Sequence, residues 1–279
     1  MVEIVTDSCS DITSELARKL GVTVVPLYVQ FGSHVYHDNI DLTTEEFYHK
    51  LMQGEIMPTT STVTPDFLAE LFNKLAEETK EILTITLSEM YSGTYRIALQ
   101  GSTMVNKDCH IEVIDSRLAI GGQMLLVISA ARMAKSGADL DEIAEWVKEA
   151  IPRVHVYMTF DTLEYLKRGG RIGKAQAFLG SLLKVNPVLG IKDGNTFPFA
   201  RPRNRLHAMD LMVDFVRDFD HVEALAIEDA TTPDELEMLA ERLQNVVPPE
   251  NLYRSKVSPV VGTHVGPHVL AVSVLEAEH

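Results

Sequence analysis

The sequence predicts an α/β protein, in which an N-terminal open parallel sheet with flanking helices is followed by an α+β domain with a mostly antiparallel sheet. Three observations carry that prediction. The chain opens with a strand, a helix and a strand, the signature of parallel pairing. The first half then alternates strand and helix three or four times. Past Ile151 or Pro152 the pattern changes, and Asp193-Gly194 sits between two apolar runs as a hairpin turn. With 279 residues the chain exceeds one average domain, so the predicted division is residues 1–152 and 153–279.

Taken in order, Val2 to Thr6 is a short buried strand, Thr13 to Leu20 a helix stopped by Gly21, and VTVVPLYVQF one further strand. PTTSTVTP, Pro58 to Pro65, is too polar and proline-bounded for a regular element. Thr64 caps a helix that starts at Pro65, with Phe67, Leu68, Leu71, Phe72 and Leu75 on its apolar face. EILTITLS is a strand, YSGTYRIALQGSTMV a helix entered through Ser92 and Gly93, HIEVIDS a strand and GGQMLLVISAARMAKSG a helix. In the second half VHVYMTF is a strand, and two helices flank the basic turn KRGGRIGK. After the hairpin come a helix from Arg203 to Asp218, the strand EALAIE, a helix from Pro233 to Val246, and the closing strands LYRSKVS and VLAVSV.

Composition narrows the function. With 46% hydrophobic and 23% charged residues the chain should fold compactly. MVEIVTDSCSD lacks the features of a signal peptide, and no run of about 18 apolar residues occurs, so a cytoplasmic chain with no membrane insertion is expected. Cys9 and Cys109 are read as reduced and buried. A net charge of -15 repels phosphate backbones, so no nucleic acid partner is expected. Against that charge, Lys167, Arg168, Arg171 and Lys174 form a local basic patch, suited to one small anion or one docking surface.

Three segments could meet an anion, and each has a plainer reading. Ser92-Gly93 stands where a strand gives way to a helix, so it either offers amides and a hydroxyl to an anion or merely caps the helix. Thr59, Thr60, Ser61, Thr62 and Thr64 either wrap a ligand or form a hydroxyl-rich loop. His264, in the turn GTHVGPH, either meets a ligand or is structural. His34, His37, Asp38 and Asp41 match no metal-ligand spacing, so no metal is expected. Several catalytic patterns fail. KRGGRIGK departs from the phosphate loop because Lys174 is followed by Ala175, and Met90 stands where a serine elbow needs glycine. No glycine fingerprint for a dinucleotide follows the first strand.

TDSCSDI, PTTSTVTP, YSGTYRIA, VIDSR, LEYLKRGGRI followed by NPVLGIKDG, and GTHVGP occur in that order across nearly the whole chain. Together they resemble the DegV family of bacterial fatty-acid-binding proteins. The resemblance implies one long-chain fatty acid held in a tunnel between the two domains. Some members of the family are the acyl-carrying subunit of bacterial fatty acid kinase, in which a separate ATP-binding kinase subunit phosphorylates the bound carboxylate for phospholipid synthesis, and the resemblance makes that the expected role here. No cofactor is then needed, and the chain itself is not an enzyme.

About 14 buried methylenes would contribute roughly 11 kcal/mol gross, before ordering costs. A buried carboxylate, in contrast, must be met by donors. By similarity to the family motifs those are Thr60 and Ser61, Ser92 with the Gly93 amide, and His264, with Arg171 at the mouth. Lys167, Arg168 and Lys174 face either solvent or the docked kinase subunit. Phe178, Leu182 and Met124 are candidate tunnel-lining residues, or ordinary core.

The chain departs from the family pattern at Thr62-Val63-Thr64 and at His268, which follows Gly266-Pro267. Two rival readings remain, a lipid-responsive sensor or interaction protein and a stand-alone acyl or phosphoryl transferase.

Overall fold

A computed structural model describes residues 1–54, 56–181 and 185–278. The opening strand β1 (Glu3–Asp7) leads through a 3-10 turn (Ser8–Ser10) into α1 (Ser14–Leu20) and β2 (Val22–Val25). Thr13 caps α1 by accepting the Leu16 amide, and Gly21 ends it at φ +68°, the left-handed conformation that costs glycine least.

The expected single strand VTVVPLYVQF is two strands. β2 pairs in parallel with β1, whereas β3 (Tyr28–Phe31), beyond Pro26, joins a separate antiparallel sheet with β4 (His34–His37). Proline lacks the amide that a continuous ladder needs, so the chain changes sheets there.

Next come α2 (Thr44–Gln53), β5 (Thr59–Ser61) and α3 (Pro65–Leu75). A Thr43/Glu46 capping box starts α2, which the sequence reading did not assign. Strand β5 corrects a second expectation. Part of the hydroxyl segment is regular after all, because β3 supplies it with partners: Thr59, Thr60 and Ser61 lie opposite Gln30, Val29 and Tyr28.

Elements β6 (Glu81–Thr86), α4 (Thr94–Thr103), β7 (His110–Asp115), α5 (Ile120–Ser136) and α6 (Leu140–Ala150) complete the first half. Its parallel sheet has the order β2-β1-β6-β7. Helices α1, α5 and α6 pack together on one face, and α3 and α4 on the other.

The second half contains β8 (Val154–Thr159), α7 (Glu164–Arg168), β9 (Val188–Lys192), β10 (Asn195–Ala200), α8 (Arg205–Arg217), β11 (Val222–Asp229), α9 (Pro233–Leu243), β12 (Leu252–Lys256), α10 (Pro259–Val265) and β13 (Leu270–Glu276). Its six-stranded sheet has the order β10-β9-β8-β13-β11-β12, antiparallel except for the β11–β12 pair. Asp193 and Gly194 form the predicted hairpin turn, both at positive φ (+50° and +76°). After the basic turn the chain forms a 3-10 helix (Gly173–Ser181) instead of an α-helix. His264, expected in a turn, lies in the last turn of α10. Pro259 starts that helix, and Gly262 lets Phe47 and Tyr48 pack where a Cβ would stand, 2.6–2.7 Å from their atoms.

Helix α5 joins the halves. It touches β1 and β6 of the parallel sheet and β8, β11 and β13 of the other, and is buried nearly all round. Gly121 and Gly122 allow the second approach, since a Cβ would stand 2.8 Å from Ala226 and 2.5 Å from Val156. Leu126, Val127 and Ile128 are at most 1% exposed, each stabilising the layer by about 1.5–3 kcal/mol. A second apolar cluster lies between the other face of β11 and β13 and helices α8 and α9.

Candidate functional site

The parallel sheet reverses its order between β1 and β6, since β1 leads outward to β2 and β6 leads outward to β7. The crevice beyond the strand ends at such a reversal is open to a ligand. A cavity of about 340 Å³ lies there, walled by Cys9 beyond β1, Leu87 beyond β6, and Ala119 and Ile120 beyond β7. The second half closes it with Met158, Ile191, Val260 and Val265. Ile120 carries a β-branched side chain at φ +51°, a conformation such residues adopt only when their surroundings impose it.

The polar part of the wall holds three hydrogen-bonded groups, around His264, Ser92 and Arg171. Thr60, half-buried on β5, meets His264 of α10 through Oγ1 and Nε2 at 2.8 Å. The hydroxyls of Thr62, Thr94 and Ser92 form a chain with steps of 3.0 and 2.8 Å. Gly93 occupies the N-cap position of α4 without a side-chain bond to the helix, and Ser92 Oγ accepts the Thr94 amide at 3.3 Å. Ser92 therefore stands beside the positive end of a ten-residue helix.

Arg171 donates from Nε to the Tyr91 carbonyl at 3.0 Å and from Nη1 to the Gly169 carbonyl at 2.5 Å. Thr196 donates to the Arg171 carbonyl at 3.0 Å and bonds Tyr91 Oη at 3.0 Å. The guanidinium is thus fixed by neutral carbonyls, whereas exposed Arg168 pairs with Glu164 at 2.8 Å.

Burial, with the nearby Arg171 charge, holds the His264 imidazole down to about 4. It is therefore neutral at physiological pH. Its Nδ1 is buried without a hydrogen-bond partner among the described residues. The Gly-Gly pair of the basic turn explains how the ring fits. A Cβ on Gly169 would collide with Nδ1, and Gly170 turns the chain at φ +71°. A neutral hydroxyl cluster with one guanidinium and one helix N-terminus can hold an anion without an acid to repel it.

All six residues singled out from the sequence, Thr60, Ser61, Ser92, Gly93, Arg171 and His264, line this cavity. Ser61 is exposed, whereas its neighbours Thr60 and Thr62 are half-buried, in line with strand alternation. Lys167, Arg168 and Lys174 are exposed and lie outside the wall. Met124 belongs to the core, and Phe178 lies under the Arg201 guanidinium at 4.0 Å; neither lines the cavity. Leu182 lies outside the described residues.

Thr62, named with the hydroxyl segment, lines the cavity too, whereas Thr94, Tyr91 and Thr196 were not expected at the site. Thr94 follows Ser92 and Gly93 and carried a local signal, whereas Tyr91 meets Thr196 across 105 positions and carried none. His37 pairs with Asp41 at 2.6 Å on the surface while Asp38 turns inward, 2% exposed. No three His, Cys, Asp or Glu side chains converge as a metal cage among the described residues.

The DegV domain-containing protein of Caldanaerobacter subterraneus is 37% identical over 276 residues, covering 97% of each chain. A DegV family protein from Thermus thermophilus, described by its fatty acid binding, superposes with a TM-score of 0.88 at 29% identity over 99% of both chains. A stearic acid-binding protein from Eubacterium ventriosum gives a TM-score of 0.89 at 26% identity, over 99% of this chain and 98% of that one. Since the model for the uncharacterised proteins of the DegV family also matches residues 1–277, the chain belongs to the DegV family.

Proposed function

We propose that this chain is a non-enzymatic carrier that holds one long-chain fatty acid between its two domains, residues 1–152 and 153–279. The acyl chain lies along the apolar wall, and Thr60, Ser61, Ser92, the Gly93 amide, Arg171 and His264 hold the carboxylate. The observation that carries the reading is the Thr60–His264 bond at 2.8 Å, which joins the polar cup across the seam between the halves beside Ser92 and Arg171. The fatty acids bound by its structural relatives support the same ligand class.

The carboxylate is presented to a separate ATP-binding kinase subunit that forms the acyl phosphate. Exposed Lys167, Arg168 and Lys174 beside the cup suit a docking face for that subunit. With a neutral His264, the cup adds one full positive charge, from Arg171, to a bound carboxylate and to the more negative acyl phosphate.

Mass spectrometry of lipid extracted from the native protein tests the ligand class, and one fatty acid per chain is the expected result. Each lost bond to the carboxylate costs about 1.5–3 kcal/mol, so Ser92→Ala combined with His264→Ala should weaken binding at least about 100-fold. Full lipid occupancy in that folded double variant would refute the clamp. Incubated alone with ATP, magnesium and a fatty acid, the wild type should form no acyl phosphate; product there would make it a transferase.

A further inference from the structure

A second cavity, of about 670 Å³, lies where the start of α1, the loop before α2, α9 and β12 meet. Asp11 and Asp38, 6% and 2% exposed, are on its wall. Neither carboxylate oxygen of Asp38 completes a hydrogen bond among the described residues, and neither does Asp11 Oδ2 or the buried Oγ of Ser258. Asp11 Oδ1 accepts only the Ser258 amide, at 3.2 Å.

The acids around this pair are better supplied. Asp7 accepts the amides of Leu87 and Cys9 and the Gln123 side chain. Glu228 accepts the Gly121 amide and the Ser255 hydroxyl, and Asp229 the Thr232 amide and the Lys256 ammonium. Arg254, also on the wall, is committed to Glu237 at 2.7 Å. Asp229 Oδ1 also lacks a partner but stands off this wall, so the unmet carboxylate capacity facing the cavity lies on Asp11 and Asp38, with the Ser258 hydroxyl of the other half next to Asp11. Buried acceptors of that kind need a proton, a donor or a cation.

We propose that this cavity binds one hard divalent cation, Mg²⁺ or Ca²⁺, through Asp11 and Asp38, with Ser258 Oγ and retained waters completing its coordination. An all-oxygen set selects a hard ion. Two carboxylates without a third acid or a histidine fit an ion that keeps part of its water, and the cavity has room for it. The two carboxylates neutralise a divalent charge, and the ion would tie the residues after β1 and β4 to the start of α10.

The test uses full-length protein stripped with EDTA and titrated with CaCl₂ or MgCl₂ in a calorimeter at constant ionic strength. One site per chain is expected, together with a rise in melting temperature that EDTA reverses. Asp38→Asn should weaken binding at least about tenfold, while Asp41→Asn, in the same loop but exposed, should leave it unchanged. Asp11→Asn serves as the second variant, since asparagine accepts the φ of +52° at that position. Absence of saturable binding to the wild type up to about 10 mM cation overturns the site, as does equal affinity in both folded asparagine variants.

Discussion

The molecule holds two buried polar regions of opposite character, and the 3-10 turn Ser8–Ser10 stands between them. Cys9 faces the cavity with the hydroxyl, imidazole and guanidinium cup, and Ser8 faces the cavity with the carboxylates. In the cup, burial depresses a base, so His264 is neutral. Around the turn burial raises acids, with Asp7 pushed up to about 6 and Asp38 and Glu228 to about 7. The same desolvation therefore prepares one region to receive a negative charge and the other to hold protons or a cation. In a chain of net charge -15, excluding acids from the cup is what makes it selective for an anion.

Moving an acid into the cup breaks that contrast most directly. Arg171→Glu removes the guanidinium and sets a second carboxylate beside the bound one. A loss of about 4 kcal/mol, roughly 1,000-fold in affinity, is expected. Arg171→Gln, which can still reach a backbone carbonyl, should lose less. Displacement of a fluorescent fatty acid measures both, with circular dichroism to establish that each variant is folded. Tight binding by the glutamate variant would show that Arg171 does not meet the carboxylate.

The two regions also differ in how far they could be read from sequence. Strands β1, β6 and β13 announce themselves as apolar runs, and Asp193-Gly194 as a turn, because those signals are local. Strand β5 is regular only through β3, and α10 contains Gly262, a poor helix former kept by the packing of Phe47 and Tyr48. The cup's motifs were recognisable by resemblance, but the contact between Thr60 and His264 spans 204 positions and no periodicity encodes it. Asp38 was weighed only against its neighbours His34, His37 and Asp41. Its inward turn puts it on one cavity wall with Ser8 and Asp11, which the linear sequence keeps far away.

The acid-rich region should dominate the pH dependence of stability in cation-free buffer. Asp7, Asp38 and Glu228 have folded pKa values above their unfolded ones, so the folded state binds more protons. Their stabilisation is complete below about pH 4 and is lost as pH rises through 6 to 7. His264 opposes them, since its depressed value removes stability as pH falls from about 6.5 to 4. Three acids outweigh one imidazole between pH 8 and 6. A gain of about 2 kcal/mol on acidification is expected, a rise of roughly 5 °C in Tm. Asp38→Asn should flatten the profile, and a wild-type Tm that falls from pH 8 to 6 would contradict this assignment.

The smallest change sharpens the comparison at one hydrogen bond. Thr60→Val keeps the shape of the side chain but removes the hydroxyl from His264 Nε2, in a ring whose Nδ1 already lacks a partner. With no bond on either nitrogen, the imidazole loses the contact that orients it in the cup. The cost is about 1 kcal/mol, a five- to tenfold loss of fatty-acid affinity, which Thr60→Ser should restore. The His264 ring signals in NMR separate orientation from simple loss of packing. Thr60→Val should shift them and Thr60→Ser should return them, whereas a role confined to packing β5 would spare valine, which keeps the shape, and impair serine, which lacks the methyl.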